Sequence, residues 1–273
     1  MENKYIIYFL LGVLIALAIA IVLTAIAKLI GKKKVGPIVM IIIGFVSFLA
    51  SLSIAITIYL TDYNHKDQSA DDYLKSSTLV GVNKIDDGYF FDGIGSKNAI
   101  IFYPGAKVEY TAYAPLLYNL ALEGIDCFLI DMPCNLAFLG KSKANNILGK
   151  YNYENYYLMG HSLGGAMGAS YLANNTDKFK GLILLASYST VKLPDNFNVL
   201  SIYGTNDGVL KMDKYTENKA NLPANFKEVV IDGANHSGYA NYVTQSDDHL
   251  ATITVAEQQS KTRLAILSFI YGN

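Results

Sequence analysis

A chain of 273 residues, 52% of them hydrophobic, has room for one domain of about 200 residues and an appendage. Its net charge of −1 provides no electrostatic footprint for nucleic acid, so no nucleic-acid partner is expected. The mean hydropathy of +0.25 is high for a soluble protein, and the excess lies at the N-terminus.

Tyr5–Ile30 is apolar except at Gly12, Thr24 and Lys28. At 1.5 Å per residue such a helix spans about 39 Å, enough for a hydrocarbon core of about 30 Å. A cleaved signal peptide is the alternative, but its apolar core is only about 7–15 residues long and follows its basic residues. Here the run is longer and the lysines come after it. Pro37–Leu60 is a second apolar run, and Gly31-Lys32-Lys33-Lys34-Val35-Gly36-Pro37 joins the two. Residues 1–61 therefore read as a transmembrane helical hairpin, with spans at about 5–30 and 37–60. Lys28, Lys32, Lys33 and Lys34 place its tip in the cytoplasm, and the bulk of the chain on the outer side of a cell membrane. Lys4 is a weaker signal the other way.

Residues 62–76 are polar and read as a linker or a short helix. From Ser77 the pattern changes. Leu79–Ile85, the turn Asp86-Asp87-Gly88 and Tyr89–Phe91 form a β-hairpin. Ala99–Tyr103, Asp126–Ile130, Leu182–Ala186 and Val199–Tyr203 are continuous apolar runs, as in strands buried on both faces, and Lys227–Ile231 is a last strand. Helices are expected at Tyr113–Glu123, Lys143–Lys150 and Val255–Tyr271. Strands alternating with amphipathic helices imply an α/β fold with a mostly parallel sheet covered on both faces, over residues 77–273. Cys127 falls in a strand and reads as a small core residue; Cys134 falls in the next loop, and a disulfide between them is left open. Neither has a histidine at metal-ligand spacing. Only about a dozen residues separate the strands at Leu182 and Val199, too few for a large cap. The site is therefore open, unless the long loop Gly238–Ala251 covers it.

Tyr156–Ala173 reads as strand, sharp turn and helix, with Gly160-His161-Ser162-Leu163-Gly164 at the turn. A G-x-S-x-G in that context is a nucleophile elbow, whose glycines let the helix come close to the strand. Ser162 is the candidate nucleophile, and the Leu163 N–H can face an oxyanion. A serine needs a base and an orienting acid. Asp207 follows the strand at Val199–Tyr203 and His236 follows Lys227–Ile231, where sites of open parallel sheets lie. Their bland readings are a turn aspartate before glycine and a surface-loop histidine. Asp232 is a competing acid but stands only four residues before His236, and better serves to shape that loop. His161 reads as packing beside the site; His65 is in the linker, and His249 has no strand before it. The turn Pro104-Gly105-Ala106-Lys107-Val108-Glu109 offers a second oxyanion donor, Ala106 first and Lys107 second. Lys107 and Glu109 could also touch substrate, or form a solvated surface pair.

The stretches FYPGAKVEYTAYAPL at 102–116, DMPCNLAFLG at 131–140, GHSLGG at 160–165, YGTNDG at 203–208 and GANHSGY at 233–239 resemble the α/β-hydrolase superfamily. More narrowly they resemble its capless fold-5 group, related to dienelactone hydrolases. The resemblance implies Ser162 as nucleophile, Asp207 as acid, His236 as base and an oxyanion hole at the PGAK turn. Pro104 stands where many relatives carry histidine, and Ser162 where dienelactone hydrolases carry cysteine, which speaks against a dienelactone substrate. The expected activity is hydrolysis of a carboxylic ester or thioester by a membrane-anchored serine esterase, with no metal or organic cofactor implied. The alternatives are an acyltransferase on the same triad and a non-catalytic ligand-binding module.

Overall fold

The computed structural model describes residues 2–31, 36–95 and 97–272. The chain divides into two compact units, Met1–Asp62 and Tyr63–Asn273.

The first unit is a pair of helices, α1 (Glu2–Gly31) and α2 (Pro37–Thr61), packed on each other. Gly12 faces Ser51 across this pair, where a Cβ would make an ordinary contact 3.7 Å from the Ser51 carbonyl oxygen. The hydroxyls of Thr24, Ser51 and Thr57 donate to carbonyls one turn earlier, at 2.7–2.9 Å. These three hydroxyls are thereby satisfied within their own helix. Leu14, Leu17, Ile21, Ile38 and Ile41 are exposed. Both helices are long and apolar enough to cross a membrane. The lysine turn at 32–34 lies outside the described residues.

The second unit is built on one eight-stranded sheet. Its strands are β1 (Val80–Ile85), β2 (Gly88–Gly93), β3 (Asn98–Tyr103), β4 (Ile125–Ile130), β5 (Asn155–His161), β6 (Gly181–Leu185), β7 (Asn198–Gly204) and β8 (Lys227–Ile231). They lie in the order β1-β2-β4-β3-β5-β6-β7-β8. The β1–β2 and β2–β4 pairs are antiparallel and all others parallel. The expected α/β sheet is present, with α3 (Ala114–Leu122) and α7 (Val255–Tyr271) on one face and α4 (Ala144–Lys150) and α5 (Leu163–Leu172) on the other.

The apolar runs explain that two-sided cover. Along β3, Ile100 and Phe102 point to the core under α3 and α7, while Ala99, Ile101 and Tyr103 point to the core under α4 and α5. Successive side chains of a strand face opposite ways, so a strand sandwiched between helix layers must be apolar throughout. Each large side chain buried this way contributes about 1.5–3 kcal/mol. A further helix, α6 (Met212–Asn218), escaped the sequence reading. It buries only Tyr215, so it has no apolar stripe to reveal it.

Of the two readings of the polar segment 62–76, a linker or a short helix, the structure forms the short helix and packs it on the core of the second unit. Asn64 pairs with Val108 and Lys66 with Tyr242 as isolated bridges, and Gln68–Leu74 forms a 3-10 helix capped by the Asp67 side chain. Ala70 is fully buried, and Tyr73 and Leu74 pack against the core. Its order comes from main-chain pairing and a few apolar contacts, which polar composition hides. Both cysteines are free, Cys127 buried in β4 and Cys134 exposed.

Candidate active site

Strand β5 ends at His161, and α5 begins at Leu163. Between them Ser162 has φ 50° and ψ −123°, a region that side-chain-bearing residues rarely occupy. The surroundings hold it there. Its N–H donates to the Leu185 carbonyl at 2.9 Å, and its own carbonyl accepts from the Ser187 hydroxyl at 2.6 Å. A Cβ on Gly160 would sit 2.5 Å from the Gly164 carbonyl carbon, and one on Gly164 would sit 2.1 Å from the Tyr103 carbonyl oxygen. The motif glycines are thus required by contact with the backbone. Leu163, at the first position of α5, has an N–H with no intrahelical acceptor.

The second wall is the turn after β3. Gly105 N–H donates to the Tyr113 hydroxyl at 3.1 Å, and Lys107 N–H to the Asn135 carbonyl at 2.9 Å. Lys107, the second-choice oxyanion donor, is therefore already committed. Between these two, the Ala106 N–H has no protein acceptor among the described residues. Glu109 is half-buried beside this turn. Its carboxylate accepts from the Thr111 hydroxyl at 2.6 Å and the Lys66 N–H at 3.1 Å.

Asp207 and His236 meet at the ends of β7 and β8. His236 Nδ1 lies 2.9 Å from Asp207 Oδ2 and 3.1 Å from Oδ1, with both side chains buried. Asp207 Oδ1 also accepts the N–H groups of Val209 and Leu210, at 2.9 and 2.7 Å. One carboxylate thus shapes its own turn and meets the imidazole. Asp232 is exposed and accepts from the Thr205 hydroxyl at 3.2 Å. His249 is exposed, with its carbonyl taken by Asn235; His65 is exposed, 3.5 Å from Glu109.

Ser162, Leu163 and His236 line one cavity of about 350 Å³. Ala166, Met167, Val209 and Leu210 form apolar walls, with Tyr188, Thr190 and Lys211 beside them. Ala106 is not among its lining residues. The loop Gly238–Ala251, the alternative to an open site, does not line it either. That loop acts from behind. Asp248, which the sequence reading overlooked, accepts from the N–H groups of Gly208, His236 and Ser237 at 3.0, 3.2 and 2.8 Å, and from the Ser237 hydroxyl at 2.8 Å. Gln258 on α7, also overlooked, exchanges two hydrogen bonds with the Asn235 main chain, at 3.1 and 2.8 Å. Nothing in the local sequence marks either one.

His161 is buried between the two halves of the site. Its Nδ1 is 2.7 Å from the Tyr113 hydroxyl, and its ring packs 4.6 Å from that of His236. Its Nε2 lies against the His236 main chain without completing a hydrogen bond of standard geometry. Burial, with the neighbouring His236 ring adding to it, holds its pKa well below the ordinary value, so it is neutral.

A doubly covered parallel sheet with a strained serine elbow and a Asp–His pair past two later strands defines a hydrolase of the α/β class. Residues 99–260 match the alpha/beta hydrolase family, and the chain belongs to it. Solved structures agree on the fold. A protein described as a predicted CIB-like hydrolase, from Thermoplasma acidophilum, is 15% identical with a TM-score of 0.51, covering 69% of this chain and 98% of its own. Est1E from Butyrivibrio proteoclasticus is 14% identical with a TM-score of 0.51, covering 71% of this chain and 100% of its own. A dienelactone hydrolase from Anabaena variabilis is 12% identical with a TM-score of 0.50, covering 69% and 98%. A comparison with curated protein sequences finds no match.

Proposed function

We propose that this chain is a membrane-anchored serine hydrolase that cleaves a carboxylic ester or thioester through an acyl-enzyme. The observation that carries the proposal is the buried 2.9 Å contact of Asp207 with His236 Nδ1, in a histidine that shares its cavity with Ser162. With Nδ1 turned to Asp207, Nε2 is the nitrogen left to take the Ser162 proton as the hydroxyl oxygen attacks the acyl carbon. The N–H groups of Leu163 and Ala106 bind the resulting oxyanion. The imidazolium, stabilised by Asp207, then protonates the departing alcohol or thiol, and water resolves the acyl-enzyme by the same path in reverse. The uncapped cavity leaves water access, which favours hydrolysis over acyl transfer to an alcohol.

The test is labelling of the full chain in detergent with a fluorophosphonate probe. Wild type is labelled, and Ser162→Ala and His236→Ala are not. Ester hydrolysis across p-nitrophenyl esters of graded chain length falls by at least about 10⁴-fold in both variants. Unlabelled, folded wild type overturns the proposal.

In this reading the anchor is the pair α1 and α2, and the lysines at 28 and 32–34 of the sequence favour the outer side for the hydrolase unit. Cys134 offers a direct check, because it is exposed while Cys127 is buried. A membrane-impermeant maleimide labels Cys134 in intact cells if the unit is outside, and only after lysis if it is inside.

A further inference from the structure

The turn that carries Ala106 is held by residues that enter it from the start of the second unit. Lys107 has φ 56°, in the left-handed region that residues with a Cβ seldom populate. It is pinned from both sides. Its N–H donates to Asn135 at 2.9 Å, and its carbonyl accepts two hydrogen bonds from Asn64, one from the main-chain N–H at 2.7 Å and one from Nδ2 at 3.2 Å. The Asn64 carbonyl then accepts the Glu109 N–H at 2.8 Å, making Asn64↔Val108 a parallel bridge. The Lys66 N–H holds the Glu109 carboxylate at 3.1 Å. On the other side Gly105 is tied to Tyr113. Ala106 is left between two fixed neighbours with its N–H unpaired among the described residues.

We infer that Asn64 is a positioning residue for the oxyanion hole: by holding the Lys107 carbonyl it keeps this turn in the conformation that presents the Ala106 N–H. The inference rests on the hydrolase reading above. Residue 64 lies in the stretch whose composition suggests a linker, three positions past the last residue of α2. The piece of chain leaving the apolar hairpin is thereby a part of the catalytic apparatus, and the hydrolase unit is incomplete without it. The chemistry asks for such support. Oxyanion donors help only when held at their place before the charge develops, and misplacement by about 1 Å can cost on the order of 100-fold in rate.

The experiment uses the full chain in detergent and p-nitrophenyl acetate as substrate. Asn64→Pro removes both donors to the Lys107 carbonyl, and Asn64→Ala removes only the Nδ2 donor. Expected are a fall in kcat of about 100-fold for the proline variant and about 3- to 10-fold for the alanine variant. KM stays within about twofold and the midpoint of the pH profile of kcat/KM does not move, because the Asp207–His236 pair is untouched. Fluorophosphonate labelling slows in step with kcat but reaches the wild-type end point, which shows the fold and Ser162 intact. Should the proline variant not fold, the alanine variant alone decides, at unchanged melting temperature. Wild-type kcat in the folded variants overturns the inference, as does a loss in which KM and the pH midpoint shift together. If wild type itself is neither labelled nor active, the hydrolase reading fails and this one with it. Labelled, active wild type with indifferent Asn64 variants sinks this inference alone.

Discussion

Around Ser162 the chain keeps its shape through what its glycines lack; around His236 it does so through what distant side chains add. At the elbow, a Cβ on Gly160 or Gly164 would strike backbone within 2.5 Å, and the contacts that hold Ser162 are short and local to β5, β6 and α5. At the loop of the proposed base, Asp248 accepts three N–H groups from two loops, and Gln258 grips the Asn235 main chain from α7. A strained serine needs a rigid frame at one spot. A histidine and an aspartate from separate loops need a shared anchor. The first demand is met by sterics and leaves a motif, while the second is met by a polar network and leaves none.

The sharpest way to break the elbow is Gly164→Ala. The added methyl meets Tyr103 and Pro104 carbonyl oxygens at 2.1 and 2.4 Å, so backbone must move. Loss of more than about 4 kcal/mol is expected, read as failure to melt cooperatively in detergent. The matching blow to the base loop is Asp248→Ala, which leaves the Gly208, His236 and Ser237 N–H groups without their acceptor. Under the proposed mechanism kcat/KM falls about 100-fold with the protein still folded, whereas Asp232→Ala changes it less than twofold. Equal effects at both positions would return Asp232 to contention as the acid.

Gln258→Leu probes the same loop from α7. It strands the Asn235 N–H and carbonyl in a buried setting, for a stability loss of about 2–4 kcal/mol, measurable as a lowered melting temperature. His161 gives the smallest effect and touches both regions. Its folded pKa lies well below the ordinary 6.5, so below that pH the unfolded chain binds a proton that the folded one does not. Stability is therefore full above about pH 6.5 and declines on acidification, by at most about 1.4 kcal/mol per pH unit from this group. Melting temperatures of wild type and His161→Phe between pH 7.5 and 5 should converge as the pH falls. Parallel curves would mean that His161 takes up its proton without cost.

The elements most readable in advance were those with a strong local pattern. β3, β4, β6 and β7 are apolar runs because both faces are covered, and the helix expected at Val255–Tyr271 is α7, whose start the structure fixes with a capping box of Thr254 and Glu257. The turn role of Asp207 was also legible, and its carboxylate performs that role while facing His236. The reading failed where order depends on partners far along the chain. Residues 62–76 read as a linker or a short helix because their composition is polar; the short helix is there, but the sequence does not show that their main chain pairs with residues 108 and 242. α6 was passed over because one buried tyrosine makes no periodicity. Asp248 sits beside Asp247, and nothing local distinguishes them.

By itself the sequence determined the apolar strands of the sheet, the two apolar helices and the strand–turn–helix signature of the glycine elbow, because periodicity and turn chemistry are written in neighbouring residues. Only the tertiary structure decided which N–H of the turn at 104–109 is left unpaired among the described residues, which carboxylate anchors the histidine loop, and that the stretch after α2 is built into that turn. Those outcomes are hydrogen bonds between residues 12 to 43 positions apart, Asp248 to His236 and Asn64 to Lys107. Such bonds exist only once the sheet has brought their loops to one edge.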